Sequence, residues 1–157
     1  MSGIATTLRS QLEYADLLWR EGRYTASLAA FEALLQRAQE RTDRSTEVIS
    51  RSMLAMCLLR KRDLDEARVQ LQSASRYLDP EQLESYGRYR SALCRLALEE
   101  NAGEPARGEL LDYLEWAENR NVQDAVLDAC LLCNVYFICS ILLVCIIVIF
   151  CVCLSCS

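Results

Sequence analysis

Apolar residues over roughly the first three quarters of the chain recur three and four positions apart, in blocks separated by short polar turns. Leu8, Leu12, Ala15 and Leu18 form the first block, and Tyr24, Leu28, Phe31 and Leu34 the second, across the turn Arg20-Glu21-Gly22-Arg23. Each set lies on one face of a 3.6-residue helix. The stretch from Tyr14 to Leu35 therefore predicts a helical hairpin, in which Ala15 and Ser27 leave room for close backbone approach. Such a hairpin cannot bury its apolar face alone.

The pattern continues. Asp43–Ser45 offers a capped helix start, with Val48, Leu54, Ala55 and Leu58 as its apolar face. After the turn RKRD, Leu64, Ala67, Leu71, Ala74 and Leu78 recur at helical spacing, and Asp63 with Glu66 resembles a capping box. Ala15, Leu18, Tyr24, Ser27 and Phe31 map onto Ala55, Leu58, Leu64, Ala67 and Leu71 at an offset of 40. A third pair starts at Asp79-Pro80-Glu81-Gln82, an aspartate cap followed by proline at the first helical position, and turns at Asn101–Pro105. Asn121 with Asp124 starts a further helix.

Ala15, Gly22, Tyr24, Ser27 and Phe31 also stand at the spacing of a tetratricopeptide repeat: small residue, turn glycine, tyrosine, small residue, aromatic. The resemblance covers one repeat well. The second repeat departs from it, since its offset exceeds the usual period of about 34 and Arg62 replaces the turn glycine. The extra length is expected to extend the helices around Gln39–Thr46. The third hairpin keeps the shape without the signature. The fold implied is all-α, a short right-handed solenoid of helix–turn–helix hairpins at about 6–41, 44–78 and 80–118 within a 1–120 domain. Residues 121–134 then begin a further, juxtamembrane helix.

The segment from Val135 to Leu154 differs in kind. Its 20 residues are almost wholly apolar, and no charge follows Asp128. That length crosses a bilayer core of roughly 30 Å as a helix. It predicts a single C-terminal transmembrane anchor over 135–154, with the N-terminal domain in the cytosol. The lack of basic residues after it favours the endoplasmic reticulum over the mitochondrion. The alternative is an abnormal apolar end on the N-terminal piece of a longer repeat protein, cytosolic or nuclear as part of a complex. The abrupt shift to Ile, Val, Cys and Phe, and the missing basic interface anchors, speak for that alternative.

Composition narrows the chemistry. The 22 acidic residues outnumber 17 basic ones, which argues against nucleic acid as a partner. Histidine is absent, and with it the commonest general base and metal ligand. No glycine-rich phosphate loop or Cys–His pair occurs, so neither an enzyme nor a cofactor is expected. The N-terminus has neither a signal-peptide core nor a myristoylation start.

Cys130-x-x-Cys133 and Cys153-x-x-Cys156 have formal zinc spacing. The stretch between them is continuously apolar and lacks the polar loop of such a site, so no metal is expected. Cys130 and Cys133 are instead candidates for palmitoylation at a membrane boundary, or simply small apolar residues.

The resemblance implies that partner-contacting side chains come from the first helix of each pair and face the concave side. These are Arg9, Glu13, Asp16 and Arg20, then Met53, Met56 and Arg60, then Arg88 and Arg95. Methionine and arginine facing a groove suit a partner peptide or helix. The competing assignment makes the methionines core and the arginines solvated surface. Tyr86, Tyr89 and Trp116 are expected to pack rather than bind. The carboxylate-gripping set of the chaperone-binding class is not matched, because its positions hold Arg9, Glu13 and Met53.

Overall fold

The computed structural model describes residues 7–100 and 103–138. The expected span 135–154 thus lies outside the described residues beyond position 138. The described residues form helices and turns without strands. They are α1 (Leu8–Arg20), α2 (Tyr24–Glu40), α3 (Arg44–Arg60), α4 (Leu64–Ala74), a 3-10 turn (Ser75–Tyr77), α5 (Leu83–Glu99) and α6 (Glu104–Asn119). A further helix, α7, covers 123–138. Among the described residues no helix is long and apolar enough to cross a membrane.

The turns are one device used repeatedly. Gly22, Thr42, Arg62 and Asn121 all adopt positive φ, at 75°, 55°, 64° and 55°. In each case the next residue's N–H reaches back five positions, as Arg23 to Leu18 O (2.9 Å), Asp43 to Ala38 O (2.9 Å), Asp63 to Leu58 O (3.1 Å) and Val122 to Ala117 O (3.0 Å). These are Schellman closures, which satisfy the last carbonyls of the preceding helix. Arg62 therefore takes the same backbone conformation as Gly22 despite its side chain. Asn121 closes α6 rather than capping α7, because its left-handed conformation belongs to the end of a helix.

Other helix starts also differ from the sequence expectation. Asp79 Oδ1 accepts the Glu81 N–H at 3.0 Å and the Gln82 N–H returns to Asp79 O at 3.0 Å. This local turn uses up the aspartate, and α5 begins only at Leu83. At α4, Asp63 accepts the Glu66 N–H at 3.2 Å, but its own N–H is committed to Leu58 O, so only half a capping box forms. The same helix stops at Ala74 and tightens into the 3-10 turn, where Tyr77 lies 4.1 Å under the Arg44 guanidinium.

Three successive apolar clusters hold the helices. Leu12, Ala15, Phe31, Leu34, Ile49, Met53 and Leu54 join α1, α2 and α3. Val48, Ala55, Leu59, Ala67, Leu71, Tyr89, Ala92 and Leu96 join α3, α4 and α5. Cys94, Leu110, Tyr113, Ala117, Ala125, Ala129 and Leu132 join α5, α6 and α7. Each helix packs on its neighbours along the chain, the arrangement of a repeat protein. Small residues set the closest approach: Ser27, fully buried, donates to Ala15 O at 3.1 Å. At the third pair, Gly87 leaves space for the Trp116 ring, which a Cβ there would meet at 3.4 Å.

The helix α3 is central. Its buried residues include Val48, Ile49, Leu54 and Ala55 together with Ser50, Ser52 and Glu47. Both serines donate to the carbonyl four residues back, each at 2.8 Å, which satisfies a buried hydroxyl locally. Glu47 is 2% exposed and accepts from Arg44 (2.9 Å), Arg51 (3.1 Å) and Gln39 (3.4 Å). Burial pushes its carboxyl up, and the three donors more than reverse that, leaving it below the usual glutamate value.

Candidate functional site: the face of α1, α3, α5 and α7

Most of the side chains expected on the concave face fall into two regions. In the first, α1 and α5 are bridged directly. Arg88 donates to both oxygens of Asp16, at 2.8 and 2.5 Å, and to Glu84 at 3.3 Å. Arg9 donates to Glu13 at 3.1 Å and to Glu84 at 2.9 Å. Burial would lower the Arg88 pKa, but the Asp16 carboxylate, with Glu84 beside it, raises it above the ordinary value. Arg9, Glu13, Asp16 and Arg88 are thus occupied within the chain. Met53 is a core residue at 7% exposure, because α3 is covered from both sides. It presents no surface to a partner.

The second region is open. The ends of α3, α5 and α7 enclose a groove of about 230 Å³ lined by Met56, Leu59, Leu98, Leu132 and Val135, with Arg60, Arg95 and Glu99 among them. Met56 is half-buried and packs against both flanking clusters. The Arg60 guanidinium sits 5.4 Å from the Tyr24 ring centre and 5.9 Å from that of Trp19. These two rings are themselves edge-on at 4.9 Å. Such stacking holds a guanidinium in place without using its donors. Arg95 donates from Nη2 to Asp128 at 2.8 Å, while its buried Nε has no partner.

Arg20 is exposed and stands apart from both regions. Glu99, at the rim, accepts from Arg62 at 2.7 Å. Sequence reasoning did not single out Leu59, Leu98 and Leu132 as groove residues, and it assigned Val135 to the membrane span. It also missed Asp128, the partner of Arg95. Tyr86 and Trp116 pack together with ring centres 4.8 Å apart, and Tyr89 is buried.

Further hollows occur among the described residues. One, of about 240 Å³, lies on the opposite side between α2 and α4, over Leu54 and Leu58 and rimmed by Glu32, Glu66 and glutamines. Another, of about 420 Å³, lies beside α7 at Val126, Leu127 and Cys130. Cys130 is exposed and Cys133 half-buried, and burial raises the Cys133 thiol pKa. Among the described residues no cluster of three or more metal-ligating side chains occurs. Cys153 and Cys156 lie outside the described residues.

Residues 4–78 match the family model of the tetratricopeptide repeat. No curated protein and no solved structure matches the chain. The match covers α1 to α4, and the groove is completed by α5 and α7 beyond it.

Proposed function

We propose that this chain, whose residues 4–78 match the tetratricopeptide repeat family, is a non-catalytic adaptor that binds a peptide or helix of a partner protein in the α3–α5–α7 groove. Repeats of this kind are in general protein–protein interaction modules. The observation that carries the proposal is the groove itself: an apolar floor from three helices, with two arginines whose donors are partly unspent. Concave apolar surfaces with a few placed polar groups are what peptide segments dock into. Comparing partner recovery by the wild-type chain and by Leu98→Glu tests it. Recovery lost in the variant with its helicity intact supports the groove. Equal recovery rejects it.

The proposal also has residues 135–154 tether the adaptor to a membrane, the endoplasmic reticulum being favoured, with the repeats in the cytosol. Its support is the uncharged apolar run and the exposure of Phe137 and Ile138 near its described start, at 59% and 58%. A second interpretation, as the N-terminal piece of a longer repeat protein, is favoured by α7. That helix packs on α6 through Ala125, Ala129 and Leu132, as the first helix of another hairpin would, while Leu127 and Leu131 face outward. Carbonate extraction of membranes separates the two. An anchored chain stays in the membrane pellet until detergent releases it, whereas a chain truncated after Ile138 does not. A full chain that instead forms detergent-insoluble aggregate favours the longer-protein interpretation.

A further inference from the structure

Resting on the groove proposed above, we infer that its occupant is an acidic–apolar segment, in which an internal aspartate or glutamate beside a branched apolar residue places its carboxylate between Arg60 and Arg95. The protein carries a net charge of −5, and most arginines on this face are already neutralised. Arg88 is held by Asp16 and Glu84, Arg9 by Glu13 and Glu84, and Arg62 by Glu99. Arg60 differs, making no hydrogen bond or ion pair among the described residues. Among the described residues its guanidinium lies over the Trp19 and Tyr24 rings, which orient it and leave its donors available.

Arg95 faces the same groove. Asp128 satisfies one end of it, while the buried Nε remains without an acceptor. That Nε is fully enclosed, so an incoming carboxylate meets the Nη1 group instead, which makes no hydrogen bond or ion pair among the described residues. The two cations emerge from a floor of Met56, Leu59, Leu98, Leu132 and Val135 contributed by all three helices. A continuous segment covers this floor on both sides of its carboxylate, whereas a terminal carboxylate leaves part of it bare. The apolar lining calls for a branched side chain next to the acid.

The test uses the full-length chain kept in solution with mild detergent. The probes are short fluorescent peptides, acetylated and amidated so that only side chains carry charge. One holds repeated Leu-Asp pairs, a second replaces each Asp by Asn, and a third replaces it by Lys. The inference expects the aspartate peptide to bind at least tenfold tighter than the asparagine one, the gain of roughly one charge-assisted hydrogen bond. Arg60→Ala and Arg95→Ala should each remove that advantage, and Arg60→Lys should restore only part of it. Equal binding of the aspartate and asparagine peptides, lost on Met56→Glu, overturns the acidic specificity and keeps the groove. Binding that survives Met56→Glu overturns the groove and the inference together. Far-ultraviolet circular dichroism confirms that each variant is folded.

Discussion

Arg88 on α5 and Asp16 on α1, 72 residues apart in sequence, meet in a two-pronged ion pair with contacts of 2.8 and 2.5 Å. Their side chains are only 24% and 13% exposed, so this pair is shielded from solvent more than the other bridges on that face. It ties the first hairpin to the third across α3 and closes the part of the surface between α1 and α5, leaving the open groove to α3, α5 and α7.

Removing one partner leaves the other charge half-buried and unpaired. Arg88→Met and Asp16→Asn are therefore each expected to lower unfolding free energy by roughly 1–3 kcal/mol. The double variant should cost less than the sum of the two. Urea denaturation followed by circular dichroism checks this. The exposed Arg68, paired with Asp65 and Glu100, serves as the contrast, and Arg68→Ala should leave the midpoint unchanged.

Thr42 occupies a left-handed turn position at φ 55° that suits glycine and penalises a β-branched residue. Thr42→Gly is expected to stabilise the fold by about 1 kcal/mol and raise the thermal midpoint by a few degrees. Gly22→Ala, at φ 75° with open space around a new Cβ, should destabilise by a similar amount through backbone strain alone. Differential scanning calorimetry of the two variants decides it.

Glu47 ties stability to pH. Its carboxyl lies below the ordinary glutamate value in the folded chain. It therefore adds stability above the unfolded-state pKa of about 4.5, and this is lost as pH falls through the lower folded value. Wild-type stability should decline in that acid window. Glu47→Gln should be less stable at neutral pH and show a shallower decline on acidification. Denaturation midpoints measured from neutral pH to pH about 3 supply the comparison.

The cysteines should separate by environment. Cys94 is fully buried, and burial pushes its thiol up to about 12, while Cys57 is buried and also raised. Both should resist a maleimide reagent in the native state. Cys130 is exposed, and Cys133 is half-buried and raised. Labelling at neutral pH, read by peptide mass spectrometry, should find Cys130 modified first among these four. If the chain is acylated in cells, Cys130 is the expected site. Preferential labelling of Cys133 would contradict this placement.

The hairpins were legible in the sequence because two local signals agreed, the helical spacing of apolar residues and small residues at Ala15 and Ser27 where helices touch. Boundaries were less legible where a residue has two competing local uses. Asp79 has the type of a helix cap yet closes its own turn, and Asn121 has the type of a helix start yet ends one. Arg62 hid a turn identical to that at Gly22, since the backbone closure, not the side chain, defines it. The site was legible only in part. The resemblance placed the partner-contacting residues on first helices, but whether a given arginine is spent depends on partners far away in sequence. Asp16 for Arg88 and Asp128 for Arg95 come into place only when the solenoid winds.

The most direct test of the groove as the partner site is photo-crosslinking in cells from single positions. A photoreactive residue replaces Met56 or Leu98 in the groove, or Glu32 at the hollow between α2 and α4 on the opposite side. The same discrete adduct is expected from Met56 and Leu98, weakened by Arg60→Ala, and none from Glu32. An adduct formed from Glu32, with none from the two groove positions, would contradict it.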